Sequence, residues 1–237
     1  MTDKTIAIIT ARGGSKRIPR KNIKEFCGEP IINYSIKAAI NSGIFDEVMV
    51  STDDDEIAEI ARNAGANVPF MRSEKTANDF ATTADVLFEV FEKYKELGKE
   101  YKYACCLYPT APFVTPQKLL EGFEMISKNN VDSVIPVVKF SFPPQRGYIL
   151  NNDLLEYKWP ENRNKRSQDL EPFYHDSGQF YFYDVSKFIE YNVNPDGKVQ
   201  KIAPIILPDL YVQDIDTVED WEIAEVKYRI LKEKGLI

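Results

Sequence analysis

Short apolar runs alternate with longer amphipathic stretches through the first 138 residues of this 237-residue chain. "TIAIITA" (5–11), "EVMVST" (47–52), "YACCLY" (103–108) and "DSVIPVV" (132–138) read as strands with no polar face. Between them, residues 30–43, 54–65, 82–98 and 116–130 carry apolar side chains at helical spacing. In the first of these helices, Ile31, Ile32, Ser35, Ile36, Ala39 and Ile40 form the inward stripe. Pro30 is expected at its first position and Gly43 at its C-cap. The second opens on acids and closes on Gly65, as the helix dipole and C-cap geometry favour. Doubly buried strands separated by helices predict an α/β fold, a mostly parallel central sheet with helices on both faces.

The alternation then stops. Residues 139–177 are rich in proline, asparagine and charge, and read as an inserted, hairpin-like subdomain. Regular patterning resumes with "SGQFYFYDV" (177–185) and "KIAPIIL" (201–207), then the strand-like "YVQDID" (211–216) and a helix over 217–234. The chain therefore divides into a core of residues 1–138 and 178–237 and an insert of 139–177.

The loop after the first strand, "ARGGSKRIPRKN" (11–22), holds five cations, Arg12, Lys16, Arg17, Arg20 and Lys21, and no acid. Yet the whole chain carries 30 basic and 37 acidic side chains, a formal charge of −7. That balance argues against nucleic-acid binding, which needs a broad basic face. No apolar stretch approaches the ~18 residues of a membrane span, and the first apolar run is too short for a secretory leader. Three cysteines, Cys27, Cys105 and Cys106, are odd in number and lack metal-ligand spacing, which suits a reducing cytoplasm. Any anionic partner must therefore be met locally. In open α/β sheets ligands sit beyond the carboxyl ends of strands, where this loop lies. Gly13 and Gly14 let backbone amides approach an anion, and the cations supply charge. The spacing fits neither the P-loop nor the dinucleotide fingerprint. A phosphate site stands here against a merely solvated basic turn.

Downstream, Asp214 and Asp216 lie two apart, which in a strand places both carboxylates on one face. Such a pair suits Mg²⁺ on a triphosphate. Equally, Asp216 or Thr217 suits capping of the last helix, with "TVED" as a capping box. In "QFYFY", Phe180 and Phe182 share one face, leaving Tyr181 and Tyr183 on the other, available to a cleft. His175, the single histidine, reads as a surface or hydrogen-bonded residue.

The order of residues in "ARGGSKRIPRKN" resembles the nucleotide loop of the CMP-sialic acid synthetase (acylneuraminate cytidylyltransferase) family. "IINYSIKAAINSGIFDEVMVSTDDDEIAEIARNAGA", "RSEKTANDFATTADVL", "LYPTAP" and "QDIDTVED" are similar to that family's later segments, in the same order. The resemblance covers roughly residues 5–138 and 177–230. It implies a Rossmann-like nucleotidyltransferase fold and a reaction in which the anomeric hydroxyl of a nine-carbon 2-keto sugar acid attacks the α-phosphate of CTP. It places Ala11, Arg12, Gly13, Lys16, Lys21, Asn22, Arg72 and Thr83 at the nucleotide, with Arg12, Lys21 and Asp216 central to catalysis. It makes Asp214 and Asp216 Mg²⁺ ligands, and it sets Tyr108, Gln145, Arg146 and Tyr181 toward the sugar. Asp79 matches the nucleotide-side segment too, with Asp79 and Thr82 as alternative caps of the 82–98 helix. Arg17 and Arg20 read as surface charges. The proton acceptor stays open among a metal-bound hydroxide, an aspartate and solvent. Family members are homodimers whose insert packs against the partner, and the same is expected here.

Sialic acid synthetases usually carry Gln before the Pro-Thr of the mid-sheet motif, where this chain has Tyr108. "SFPPQRGY" (141–148) resembles the branch that uses pseudaminic acid. An aromatic ring suits a sugar with fewer hydroxyls. Pseudaminic acid is therefore the expected acceptor, with legionaminic or sialic acid behind it. Outside the class stand a D-x-D glycosyltransferase and a nonenzymatic nucleotide-binding domain. The first expects its motif after a mid-sheet strand, where this chain has "YPTAP"; the second has little use for both the cationic loop and Asp214 with Asp216. A CMP-Kdo synthetase is disfavoured because its loop typically carries a Ser-Thr-Arg-Leu-Pro run, which is missing here.

Overall fold

A computed structural model describes residues 3–196 and 199–237. In chain order its elements are β1 (Thr5–Thr10), β2 (Glu25–Phe26), β3 (Glu29–Pro30), α1 (Ile32–Ser42), β4 (Glu47–Ser51), α2 (Asp55–Asn63), α3 (Glu74–Ala77), α4 (Thr83–Glu96), β5 (Tyr103–Leu107), α5 (Pro116–Lys128) and β6 (Ser133–Lys139). There follow β7 (Tyr148–Asn151), β8 (Leu154–Tyr157), β9 (Tyr174–Asp176), β10 (Phe180–Asp184), α6 (Val185–Val193), β11 (Ile202–Leu207) and α7 (Val218–Glu233).

The apolar runs become β1, β4, β5 and β6 of a seven-stranded sheet ordered β11-β6-β10-β5-β1-β4, with β9 paired to β6. β1 pairs in parallel with both β4 and β5, and β11 with β6. β10 runs antiparallel to β5 and β6, and β9 antiparallel to β6. Strand alternation sorts β1 onto two cores. Ala7 and Ile9 join α1, α2 and α5 through Ile32, Ile36, Ile57, Ala61, Leu119 and Ile126. Ile6 and Ile8 face α4 and α6 through Leu87, Val90, Tyr94, Val185 and Phe188. Burying a side chain of this size contributes roughly 1.5–3 kcal/mol, so both helix layers are held by the same strand.

The caps explain the element ends. Gly43 closes α1 at φ +68°, a conformation that costs a side-chain-bearing residue. Thr82 and Asp85 form a capping box on α4, as Thr217 and Asp220 do on α7. Three readings change. Pro30 is not the first residue of a helix but half of the two-residue strand β3, paired with Glu25. Residues 212–216 form no strand: a short 3₁₀ turn (Asp209–Tyr211) leads into an extended run ending at the Thr217 cap. Tyr181 and Tyr183 lie toward the α4 layer, and Tyr181 is buried there. Within residues 139–177, β7 and β8 make an exposed hairpin, while β9 rejoins the main sheet.

A third core fixes the site. Ile18, from the cationic loop, is buried with Ile215, Phe26, Ile31, Phe113 and, from α7, Trp221, Ala224 and Leu231. Ile18 and Ile215 each sit one residue from a charge, so burying them draws Arg17 toward Asp216.

Candidate active site

Beyond the carboxyl ends of β1, β4 and β5 lies a cavity of about 530 Å³, of the size that holds a nucleotide. Eight of the residues expected at the site line it: Arg12, Lys16, Lys21, Asn22, Arg72, Thr83, Tyr108 and Asp216. Arg17 lines it too, along with Ser15, Thr76, Asp79, Thr82 and Thr110.

The loop is shaped by its own neighbours. The buried Asn22 donates from Nδ2 to the Arg12 carbonyl at 2.8 Å, which turns the chain back under itself. The Gly13 amide donates to Asp53 Oδ1 at 3.0 Å. A Cβ at Gly13 would lie 2.8 Å from Asp54 Oδ2, so a side chain there would push the Asp54 carboxylate that caps α2 out of place. Ala11, fully buried, donates its amide to Ser51 O and carries the end of β1 into the loop. Arg20, at φ +55°, grips Asp54 with both guanidinium ends at 2.5 and 2.9 Å, and Glu56 at 2.5 Å. That grip brings the Asp54 carboxyl down to about 2. Arg20 is therefore a strut between the loop and α2 rather than a free surface charge.

The remaining cations face the cavity in two pairs. Arg12 Nη1 lies 2.6 Å from Asp79 Oδ1, and Lys16 bonds the other oxygen of the same carboxylate. These contacts, Lys16 first, hold the Asp79 carboxyl below its ordinary range. Across the cavity, Lys21 Nζ donates to Ile215 O at 2.6 Å and lies 3.4 Å from Asp216 Oδ1, and Arg17 Nη2 lies 3.0 Å from that same oxygen. Arg17 thus faces the site, and Asp79 serves the loop while Thr82 alone takes the cap. The acid in the loop before Thr82 is the sequence signal for Asp79, while Arg17 owes its place to the burial of its neighbour Ile18 beside Ile215, which no local pattern announces.

Arg72 is buried and fixed to the end of β4, donating from Nε to Ser51 Oγ at 3.0 Å and from Nη2 to Ser51 O at 2.6 Å. Desolvation lowers its pKa. Tyr108 forms the inner wall. Its amide donates to Gln179 O, its carbonyl accepts from Ser35 Oγ, and burial pushes its phenol up. Tyr181 stands behind it, rings 5.4 Å apart, with its hydroxyl donating to Asp176 Oδ1 at 2.9 Å. Tyr181 supports Tyr108 from outside the cavity lining.

Asp214 is not among the residues lining the cavity; it lies close to Gly178, and its carboxyl is raised by desolvation and then by the charge of Asp216. Among the described residues no three acidic, histidine or cysteine side chains converge as a metal cage. Asp216 on the cavity wall, with Asp214 near enough to feel its charge, nonetheless fits a hard cation that takes its other ligands from phosphate and water. Gln145 and Arg146 lie away from the cavity. Gln145 Nε2 donates to Glu171 O, while Gln145 Oε1 and Arg146 Nε are shielded without a partner. His175 is exposed, packs at a tilt against Phe140 and donates from Nδ1 to the Asp176 carbonyl. No helix of the described residues is long and apolar enough to cross a membrane.

These features coincide with what the chain resembles. The cytidylyltransferase family matches residues 6–211. A pseudaminic acid cytidylyltransferase of Campylobacter jejuni is 41% identical over 98% of this chain and 99% of its own. A CMP-N,N'-diacetyllegionaminic acid synthase of Legionella pneumophila is 32% identical over 98% and 99%. Among solved structures, a CMP:2-keto-3-deoxy-manno-octonic acid synthetase complexed with CTP superposes with a TM-score of 0.70 over 97% of this chain and 99% of its own, at 19% identity, a likeness of fold. With its cationic loop, its sheet and these relatives together, the chain belongs to the cytidylyltransferase family.

Proposed function

We propose that this chain couples CTP to pseudaminic acid, releasing pyrophosphate and forming the CMP-sugar. The observation that carries the reading is the convergence of Arg12, Lys16, Arg17 and Lys21 on one cavity, in a chain 41% identical to a pseudaminic acid cytidylyltransferase along nearly its whole length. An anomeric hydroxyl oxygen bonds to the α-phosphorus, giving its proton up to a base or to solvent, as the bond to the bridging β-phosphate oxygen breaks and pyrophosphate leaves. Such a transfer asks for positioning and for charge stabilisation.

The residues divide that work. Arg12 and Lys16 take the β- and γ-phosphates, Arg as a bidentate fork and Lys as a point charge. Lys21, held by the Ile215 carbonyl, addresses the α-phosphate, where charge builds as the bond breaks. Asn22 fixes the loop, with Ala11 and Gly13 as its backbone wall. Arg72 and Thr83 border the nucleoside. Asp214 and Asp216 would hold Mg²⁺, which neutralises triphosphate charge when bound. Tyr108, backed by Tyr181, presents an aromatic wall to the acceptor.

The exposed hairpin completes the reading. Tyr148, Leu150, Leu155 and Tyr157 share one face of β7–β8, and Leu150 and Leu155 are 71% and 69% exposed. A second copy of the chain covers this face in a homodimer and brings Gln145 and Arg146 toward the sugar of a neighbouring cavity. A cytoplasmic setting, where three free cysteines stay reduced, fits the whole.

The test is pyrophosphate release from CTP and Mg²⁺ with pseudaminic, legionaminic and N-acetylneuraminic acids in turn. Release with pseudaminic acid above the others is the expected result. Preference for legionaminic acid, in line with the Legionella relative, keeps the reaction and replaces the acceptor. No release with any of the three rejects the proposal.

A further inference from the structure

Asp79 places one carboxylate oxygen on Arg12 and the other on Lys16, spanning the two cations that the proposed function assigns to the β- and γ-phosphates. Two adjacent oxygens of one anion on those two donors is the arrangement a phosphate would make. The stretch bearing Asp79 is a short loop between firm supports. On one side, the carboxylate of Glu89 accepts from the Ser73 amide, the Ser73 hydroxyl and Thr76, and so ties α3 to α4. On the other, Thr82 and Asp85 cap α4. Between them the Asn78 side chain accepts from the amides of Phe80 and Ala81 at 2.8 and 3.1 Å, and Phe80 is 94% exposed. Asp79 therefore sits on a surface turn of residues 78–81, outside both anchors, where its side chain is in contact with the cations and not with the core.

We infer that Asp79 is an internal substitute for phosphate, a positioning residue that holds Arg12 and Lys16 in the empty site and competes with triphosphate and pyrophosphate for them. This rests on the triphosphate reading of the loop. Without an anion, two nearby cations repel and disperse; with Asp79 they stay aimed across the cavity. A ligand must displace the carboxylate, so a small anion held by those two cations alone binds weakly. CTP, with a nucleoside to add contacts, still wins. After transfer, the returning carboxylate helps expel pyrophosphate.

The prediction separates this role from a merely structural one, because removing a structural contact does not tighten a ligand. Calorimetric titration at low salt would compare CTP and pyrophosphate, each with Mg²⁺, against wild type, Asp79→Asn, Asp79→Glu and Arg12→Ala, with circular dichroism as the check on folding. Asp79→Asn is expected to bind both ligands about fivefold tighter, the order of a lost exposed ion-pair competitor. The gain narrows as salt rises. Asp79→Glu restores wild-type affinity, and in turnover Asp79→Asn shows a lower KM for CTP and stronger inhibition by pyrophosphate. Affinity in Asp79→Asn that is unchanged or weaker, while wild type binds CTP and Arg12→Ala weakens it, overturns the inference alone. If Arg12→Ala binds CTP as well as wild type, the triphosphate reading falls and takes the inference with it.

Discussion

Lys21 and Asp216 meet on one side of the cavity at 3.4 Å, one from the loop after β1 and the other from the run before α7. Neither holds up a core: Lys21 rests on a carbonyl, and Asp216 is a partly exposed carboxylate at the rim. Lys21→Ala and Asp216→Ala are each expected to lower pyrophosphate release about a hundredfold, the usual loss for one charge-stabilising group. Far-ultraviolet circular dichroism should be unchanged, and full turnover in either variant would reject both roles. At this scale the sequence was legible where a residue's place is set by its immediate neighbours: Arg12, Lys16, Lys21, Asn22 and Tyr108 line one cavity. It was less so where the partner is remote. Nothing local tells Arg20 that it will meet Asp54 and Glu56, or Arg17 that burial of Ile18 beside Ile215 will set it against Asp216.

Among the elements, α4 carries the most telling group. Desolvation acts to raise the Glu89 carboxyl, but hydrogen bonds from Lys93, Thr76 and Ser73 outweigh it and bring the pKa from 4.5 down to about 2. The folded value is below the unfolded one, so this stabilisation is full above about pH 4.5 and is lost as pH falls toward 2. Melting temperatures over that window should fall in wild type and fall less steeply in Glu89→Gln, which is also less stable at neutral pH; parallel curves would remove Glu89 as a cause. The helix ends themselves were readable, because caps are local chemistry: Gly43, Thr82 and Thr217 all close or open the helices their sequences announce. Pro30 and residues 212–216 were not, because a two-residue strand and an extended run have no period to detect.

For the molecule as a whole, the proposed dimer rests on the hairpin. Leu150→Glu with Leu155→Glu puts two like charges opposite each other on one face of β7–β8. Sedimentation should show a wild-type dimer and a monomeric variant; a variant that still dimerises moves the interface elsewhere. The sheet's order was the least legible property, since β10 looks like any other buried strand until its neighbours are known. Its position has a consequence in time. A growing chain can complete β4, β1 and β5 once residue 107 has emerged, but the far edge of β5 waits for residues 180–184. Until then the apolar "YACCL" edge stands open, and β6 and β11 have no route into the sheet except through the same late strand. β10 acts as a keystone set late in the arch, so a chain ending in the segment before it keeps β4, β1 and β5 with an adhesive rim and a β6 deprived of both β10 and β11, not a smaller enzyme.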